Sequence, residues 1–168
     1  MNSKMKARFK DASVTYDTAP SRVRNKGLER VLQAGVVDKE GAFLLASLIP
    51  SNFDKSRYDD LTDMETTINH IHIMDYLFPY DSPTNVEAVD SLTESISYTK
   101  ELQEILRNDF PEIPFRIILS NEWENPRRCT IRFYRMRDDE PQWLKIDDLE
   151  GYREEAILFL DIIEHQVG

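Results

Sequence analysis

Apolar residues recur at three- and four-residue steps over the first two-thirds of the chain, a spacing typical of helices with one buried face. Asp38 is a candidate N-cap for a short, strongly apolar helix that Pro50 would end. Thr62 and Glu65 have the spacing of a capping box, which predicts another helix start. In total, the pattern predicts helices over about residues 21–34, 38–49, 62–77 and 84–108.

Beyond Pro114 the apolar period changes from helical spacing to alternation, which predicts strands. The apolar run that begins at Ala156 fits either a buried strand or a buried helix, and we favour the strand. The predicted strands cover about residues 115–119, 129–134, 142–145 and 156–162. The predicted class is therefore α+β, with N-terminal helices packed on a C-terminal antiparallel β-meander of about four strands.

The domain organisation follows from the same pattern. Residues 1–20 have few apolar residues and end at Pro20, which predicts a mobile basic arm. Residues 21–168 are predicted to form a single α+β domain, with a helical part over 21–112 and a sheet part over 113–168. A chain of 168 residues is long enough to bury a core of its own.

The chain lacks the sequence signals of export or membrane insertion. No apolar run approaches the roughly 18 residues that span a bilayer, and the N-terminus has no apolar signal-peptide region. Cys129 is the single cysteine, which excludes an intramolecular disulfide and suits a reducing compartment. We therefore predict a soluble cytoplasmic protein with no membrane association.

The net charge of −10 is distributed unevenly along the chain. Residues 1–30 carry 8 basic and 3 acidic side chains, whereas residues 31–112 carry 5 basic and 16 acidic ones. Such a surface repels phosphate backbones, so general nucleic-acid binding is not expected. It attracts cationic partners and speeds their encounter. The alternative is that the charge only maintains solubility.

The candidates for catalysis or metal binding are few. His70 and His72 would share a face on a strand and could then chelate a metal, but on the predicted helix only His72 and Asp75 are neighbours. We favour a pair of surface or half-buried histidines. Cys129 alternates with apolar residues, which favours a small buried side chain over a nucleophile. Five glycines cannot supply a phosphate-binding loop, and no cofactor is predicted.

Basic and aromatic residues are interleaved in the predicted sheet. Such an arrangement can hold single-stranded nucleic acid by stacking and charge. The alternative, which we favour because acids are abundant nearby, is pairing with carboxylates of adjacent strands. The residues concerned are Trp123, Arg127, Arg128, Arg132, Tyr134, Arg135, Arg137 and Trp143.

The stretch CTIRFYRMRDDEPQWLKIDDLEGYREEAILFLDI, residues 129–162, combines a strand rich in aromatic and basic residues with a Trp-Leu, an acidic Asp-Leu-Glu and a final apolar strand. This stretch resembles small bacterial immunity-type proteins, which neutralise a toxin delivered by a neighbouring cell. The resemblance implies a binding role and no catalytic residue.

Charge and resemblance together predict a non-enzymatic immunity or antitoxin-type protein that occludes a basic toxin, such as a nuclease, through an acidic surface. The alternatives are a bacterial regulatory or scaffold module, dimeric through the helix at 84–108, and a small hydrolase that uses His70 or His72. Aromatic anchors beside acids are typical of such interfaces. The predicted contact residues are Tyr58, Asp59, Asp60, Asp63, Trp123, Asp138, Asp139 and Glu140.

Overall fold

The computed structural model describes residues 1–77 and 88–163. Within them the chain forms five α-helices, six strands and three short 3-10 turns. The helices are α1 (Ser3–Asp11), α2 (Lys26–Gln33), α3 (Leu61–Ile68), α4 (Met74–Leu77) and α5 (Ala88–Asp109). The strands are β1 (Val36–Lys39), β2 (Ala42–Leu45), β3 (Ile71–His72), β4 (Phe115–Glu122), β5 (Cys129–Arg135) and β6 (Glu155–Ile162).

A four-stranded antiparallel sheet with the order β3-β5-β4-β6 forms the C-terminal half, which confirms the predicted α+β class. Its inner face packs against α5, whose Leu92, Ile96 and Leu102 lie in the main core. The outer face carries a smaller apolar cluster around Ile118 and Tyr134, partly covered by the segment that precedes β6. Along most of its length, the sheet therefore has an α-helix on its inner face and none on its outer face.

The membership of the sheet differs from the prediction. Residues 142–145 form no strand, and the fourth strand is β3, which comes from the helical part of the chain. Ile71 pairs with Ile131 and His72 with Thr130, so β3 extends the sheet beyond β5. The apolar run after Ala156 is the strand β6, as favoured.

The expectation of a mobile arm over residues 1–20 is wrong. Residues 3–11 form α1, and its Met5 and Phe9 are buried in the main core. Asn2 attaches the helix to the edge of β6, because its side-chain oxygen accepts from the N–H groups of both Met5 and Ile157. Two well-spaced apolar residues and one capping asparagine outweigh the basic composition of this segment.

The helix predicted over 38–49 is also wrong, because residues 36–45 form a β-hairpin. Glu40 and Gly41 both adopt positive φ, at 55° and 89°, as a two-residue hairpin turn between twisted strands requires. Asp38 accepts from the Gly41 N–H at 2.9 Å instead of capping a helix. Helix α3 then covers the free edge of β2, where Glu65 accepts from Phe43 N–H and Asn69 from Leu45 N–H.

Helices α2 and α3 have other boundaries than the sequence predicts. Helix α2 begins after Asn25, which caps it, and not at Ser21. Asp60 is the cap of α3, which ends at Ile68 and not near Leu77. Helix α5 is confirmed from Ala88, and the predicted start at 84–87 lies outside the described residues. Its Leu92 and Ile96 are buried in the main core. The alternative of a dimer through this helix stays a prediction.

Among residues 1–77 and 88–163, no helix is both long enough and apolar enough to cross a membrane.

Candidate functional site

Two acidic loops that are far apart in sequence meet at one end of the sheet. The side chain of Glu140 accepts from the N–H of Thr62 at 2.8 Å and from its hydroxyl at 2.6 Å. This contact joins residues 58–63, which lead into α3, to residues 138–140, which follow β5. We call the surface formed by these two loops the acidic face.

A buried ion pair fixes the base of the acidic face. Arg137 donates to both oxygens of Glu65 at 2.7 and 2.9 Å, and Glu65 is fully buried. Glu65 also accepts from the backbone N–H groups of Phe43 and Arg135. Burial raises the pKa of Glu65, although Arg137 and these backbone bonds act in the opposite direction. The pair ties α3, the hairpin and the end of β5 together.

The acids of this face have different roles. Asp60 caps α3 by accepting from the N–H of Asp63, and Asp63 accepts from the N–H of Asp59. These two carboxylates help to hold the loop. In the part of the chain that the structure describes, the exposed carboxylates of Asp59, Asp138 and Asp139 make no hydrogen bond or ion pair. Only these three are therefore available to a partner without cost to the fold.

A groove of about 720 Å³ lies beside the acidic face. Its walls include the apolar side chains of Leu61, Pro114 and Met136, and its rim includes Asp138 and Asp139. Tyr58 is half-buried and packs against the small core between α3 and β2. The face thus combines partly exposed apolar surface with unpaired negative charge.

Trp123 is not part of the acidic face. It directly follows β4, while residues 138–140 follow the opposite end of the β4-β5 hairpin, and eight residues of strand span about 25 Å. The Arg8 guanidinium covers its ring at 4.4 Å and also donates to its carbonyl oxygen. The structure therefore brings together seven of the eight predicted contact residues and leaves Trp123 bound to α1.

The histidine pair lies at the β3 edge of the sheet, on its outer face. The rings of His70 and His72 are 4.1 Å apart. The pKa of His70 falls to about 4, because the ring is desolvated and the charge of Arg132 opposes protonation. No group of three or more metal-ligating side chains occurs in the described ranges. The two histidines share a face, as expected for a strand and not for the helix that we predicted here.

Cys129 is fully buried, in agreement with the apolar role predicted for it. Burial raises the pKa of its thiol, although the neighbouring Ser95, Ser91 and Asn121 side chains act in the opposite direction. Of these, Asn121 donates from Nδ2 to the sulfur at 3.3 Å. A nucleophilic cysteine needs an accessible thiolate. The environment of Cys129 opposes that role.

The arginines of the sheet have separate partners. Arg137 pairs with Glu65, and Arg128 with Glu122 at 3.2 Å. Arg116, which sequence reasoning did not single out, forms a bidentate cross-strand pair with Asp161 at 2.6 and 2.8 Å. Arg132 instead lies 4.9 Å from the Trp143 ring centre. The arginines therefore do not form one continuous basic strip.

The family model described as "Uncharacterized protein PM0498 family" matches residues 1–167. The chain belongs to the PM0498 family. No curated protein and no solved structure matches it significantly. The PM0498 match covers α1 as well as the sheet.

Proposed function

We propose that this PM0498-family chain is a non-enzymatic immunity or antitoxin-type protein that binds and occludes a basic toxin through its acidic face. The observation that carries the proposal is the contact between Thr62 and Glu140. It joins two loops, each acidic on its own, into one negatively charged surface. The partner we propose is a bacterial toxin with a cationic active site, such as a nuclease, met in the cytoplasm.

Charge complementarity supports this proposal. Asp59, Asp138 and Asp139 are exposed, so a cationic partner is attracted before contact and oriented during approach. Arg137, at the base of this face, forms its closest ion pair with Glu65. A partner's lysine or arginine can therefore pair with these acids without displacing an internal ion pair.

The apolar groove supplies the second requirement of a tight interface. Interfaces gain most of their affinity from a few buried contacts that polar rim residues shield from water. Met136 and Leu61 offer apolar surface in the groove, and the unpaired Asp138 and Asp139 also line it. The aliphatic stem of a long basic side chain would pack on these walls while its charged end meets the rim.

The first test is whether a toxin gene lies beside the gene for this chain. Where one does, the affinity between the two proteins is measured. Reversing Asp59, Asp138 and Asp139 to Lys should slow association by at least about tenfold at low salt and flatten the salt dependence of binding. Reversing Asp60 or Asp63 is less informative, because both hold the α3 terminus.

The control variant reverses three exposed acids on other segments, Asp17, Asp109 and Asp147. It changes the net charge by the same amount, so it separates a specific face from general charge. Equal weakening by both triple variants would reject the acidic face while leaving a charge-driven interaction. Unchanged binding by the first variant would reject the proposed contact surface.

A further inference from the structure

Strand β6 forms one edge of the four-stranded sheet, because the strand order is β3-β5-β4-β6. The backbone N–H and C=O groups of successive residues in a strand point alternately to its two sides, so every second residue of an edge strand turns these groups away from the sheet. The Glu154 carbonyl, just before β6, accepts from the N–H of Trp123 on the side of β4. The N–H and C=O groups of Ile157 both bond to Asn2, on the opposite side. The odd-numbered residues of β6 therefore turn their backbone groups outward.

Asn2 closes only the first half of this edge. It donates to the Glu155 carbonyl in addition to its bonds with Ile157, and α1 begins beside it. Further along, the outward N–H and C=O groups of Phe159 and Asp161 have no hydrogen-bond partner among residues 1–77 and 88–163. Residues 159–161 are all partly exposed. The second half of β6 is therefore open to pairing with another strand.

The opposite side of the sheet is closed by side chains. Beyond the short β3, outward backbone groups of β5 bind to α3 and to Asn69, the residue that ends it. Glu65 accepts from the N–H of Arg135, and Asn69 donates to the Phe133 carbonyl. No side chain in the described ranges closes the second half of β6 in this way. The two sides of the sheet therefore differ in their accessibility to another chain.

The sequence of β6 also lacks the features that prevent edge pairing. Natural edge strands are interrupted by proline, by an unpaired charge such as lysine, or by a bulge. Residues 158–162 read Leu-Phe-Leu-Asp-Ile and pair with β4 in unbroken register. The charge of Asp161 is already paired with Arg116. Ile163 directly follows the strand and is 67% exposed.

We propose that a second copy of this chain pairs with the second half of β6, so that two four-stranded sheets join edge to edge into one continuous sheet. A two-fold axis pairs a strand with itself in the antiparallel sense, so the same outward groups meet from both copies. With the axis at Leu160, Phe159 of each copy exchanges both backbone hydrogen bonds with Asp161 of the other. All the outward N–H and C=O groups of these residues then have a partner.

Charge selects this register and is the reason to favour a second copy. The Arg116 guanidinium pairs with Asp161 and lies 5.2 Å from the ring centre of Phe159, on the same face of the sheet. With the axis at Leu160, each Asp161 lies opposite Phe159 of the other copy and therefore faces the guanidinium that covers that ring. An axis at Asp161 would place the two carboxylates directly opposite each other, which is unfavourable.

Ile163 adds an apolar contact to the backbone pairing. Alternate side chains of a strand share a face, so Ile163 follows Phe159 along the outer face. The two-fold arrangement places Ile163 diagonally across from Phe159 of the other copy, within the reach of an aromatic ring. The Asn2 contact at Ile157 ends the pairing beyond this point. The interface is therefore small, and we expect a dimer that dissociates on dilution.

Sedimentation equilibrium of the full chain from about 10 to 500 µM should show the mass rise from one copy towards two, as expected for a weak interface. Ile163→Glu should raise the dissociation constant at least about tenfold, because it places a charge in the apolar contact. The matched control is Val37→Glu, which adds the same charge at an exposed valine of β1. This control should dimerise as the native chain does.

A second measurement identifies the edge and needs no variant. In a mixture of isotope-labelled and unlabelled chains, a nuclear Overhauser contact should join the Leu160 Hα atoms of the two copies, because these residues form the non-hydrogen-bonded pair at the axis. The amide protons of Phe159 and Asp161 should exchange slowly at about 500 µM and rapidly at about 10 µM. The Leu160 amide faces β4 and should stay protected at both concentrations.

The proposal is overturned if the chain remains a single copy over this range, including the case in which the edge amides become protected only in a complex with another protein. It is also overturned if Ile163→Glu dimerises as the native chain does. Slow exchange of the Phe159 and Asp161 amides at both concentrations would mean that the chain covers its own edge, and would reject it as well. None of these results affects the toxin-binding proposal, which rests on the acidic face.

Discussion

Substituting Arg137 with Met is predicted to destabilise the protein strongly at neutral pH. The change removes the guanidinium but keeps an unbranched stem of similar length. Glu65 then remains fully buried, with two backbone N–H bonds and no counter-charge. Removing one partner of a buried ion pair costs about 3–5 kcal/mol. Urea unfolding followed by circular dichroism at pH 8 measures this loss directly.

The loss should shrink as the pH is lowered, because of the state of Glu65. Burial already raises the pKa of Glu65 in the native chain, and Arg137 acts against this rise. Removing Arg137 therefore raises the pKa of Glu65 further. The folded variant therefore holds the Glu65 proton more tightly than the unfolded chain does. Stability then falls as the pH rises from the unfolded pKa, about 4.3, through the folded one. The variant should lie closer to the native chain at pH 5 than at pH 8.

Two further variants sharpen this test. Arg57→Met removes an exposed arginine, 3.6 Å from Asp54, and should cost at most about 1 kcal/mol. The double variant Glu65→Gln with Arg137→Met should lose less than the sum of the single variants, because no uncompensated charge is left. A loss below about 1 kcal/mol for Arg137→Met, or a loss independent of pH, would refute the role given to this pair.

Three other predictions concern the attachment of α1, the hairpin turn and the burial of Cys129. Asn2→Ala should cost about 2–4 kcal/mol in urea unfolding, because a helix cap is lost and the buried Ile157 N–H loses its acceptor; a cost near zero would mean that α1 is only loosely attached. Gly41→Ala should cost about 1–2 kcal/mol in thermal unfolding, since φ is 89° there, and an unchanged Tm would argue against this hairpin turn. Cys129 should react with a thiol reagent only at the rate of unfolding, and rapid labelling of the folded chain would contradict its burial.

The pattern of apolar and polar residues predicted the strands of the sheet more accurately than it predicted the elements of the N-terminal half. Alternation identified β4 and β5, because their outer faces carry polar residues such as Arg116, Ser120 and Thr130 between the apolar residues that face α5. It could not identify β3, since a strand of two residues has no period and exists only through its pairing with β5. Residues 42–45 are buried on both faces, so a continuous apolar run replaced the alternation and was read as a helix.

The candidate site was predictable only in part, for a similar reason. Charge and turn composition identified both acidic loops, but their contact through Thr62 and Glu140 joins residues 78 positions apart and is invisible to local patterns. Trp123 was grouped with them on composition alone. Its stacking with Arg8 depends on the packing of α1, which the basic composition of residues 1–20 concealed. Arg132 was named only as one of a cluster, because its position beside the Trp143 ring depends on the folded structure.

The most direct test of the proposed function is growth of cells that express a toxin encoded beside this gene together with this chain. The native chain and the Asp17, Asp109 and Asp147 reversal variant should both restore growth. The Asp59, Asp138 and Asp139 reversal variant, present at the same level and with unchanged unfolding, should fail to do so. Full protection by that variant, or no protection by the native chain, would contradict the account.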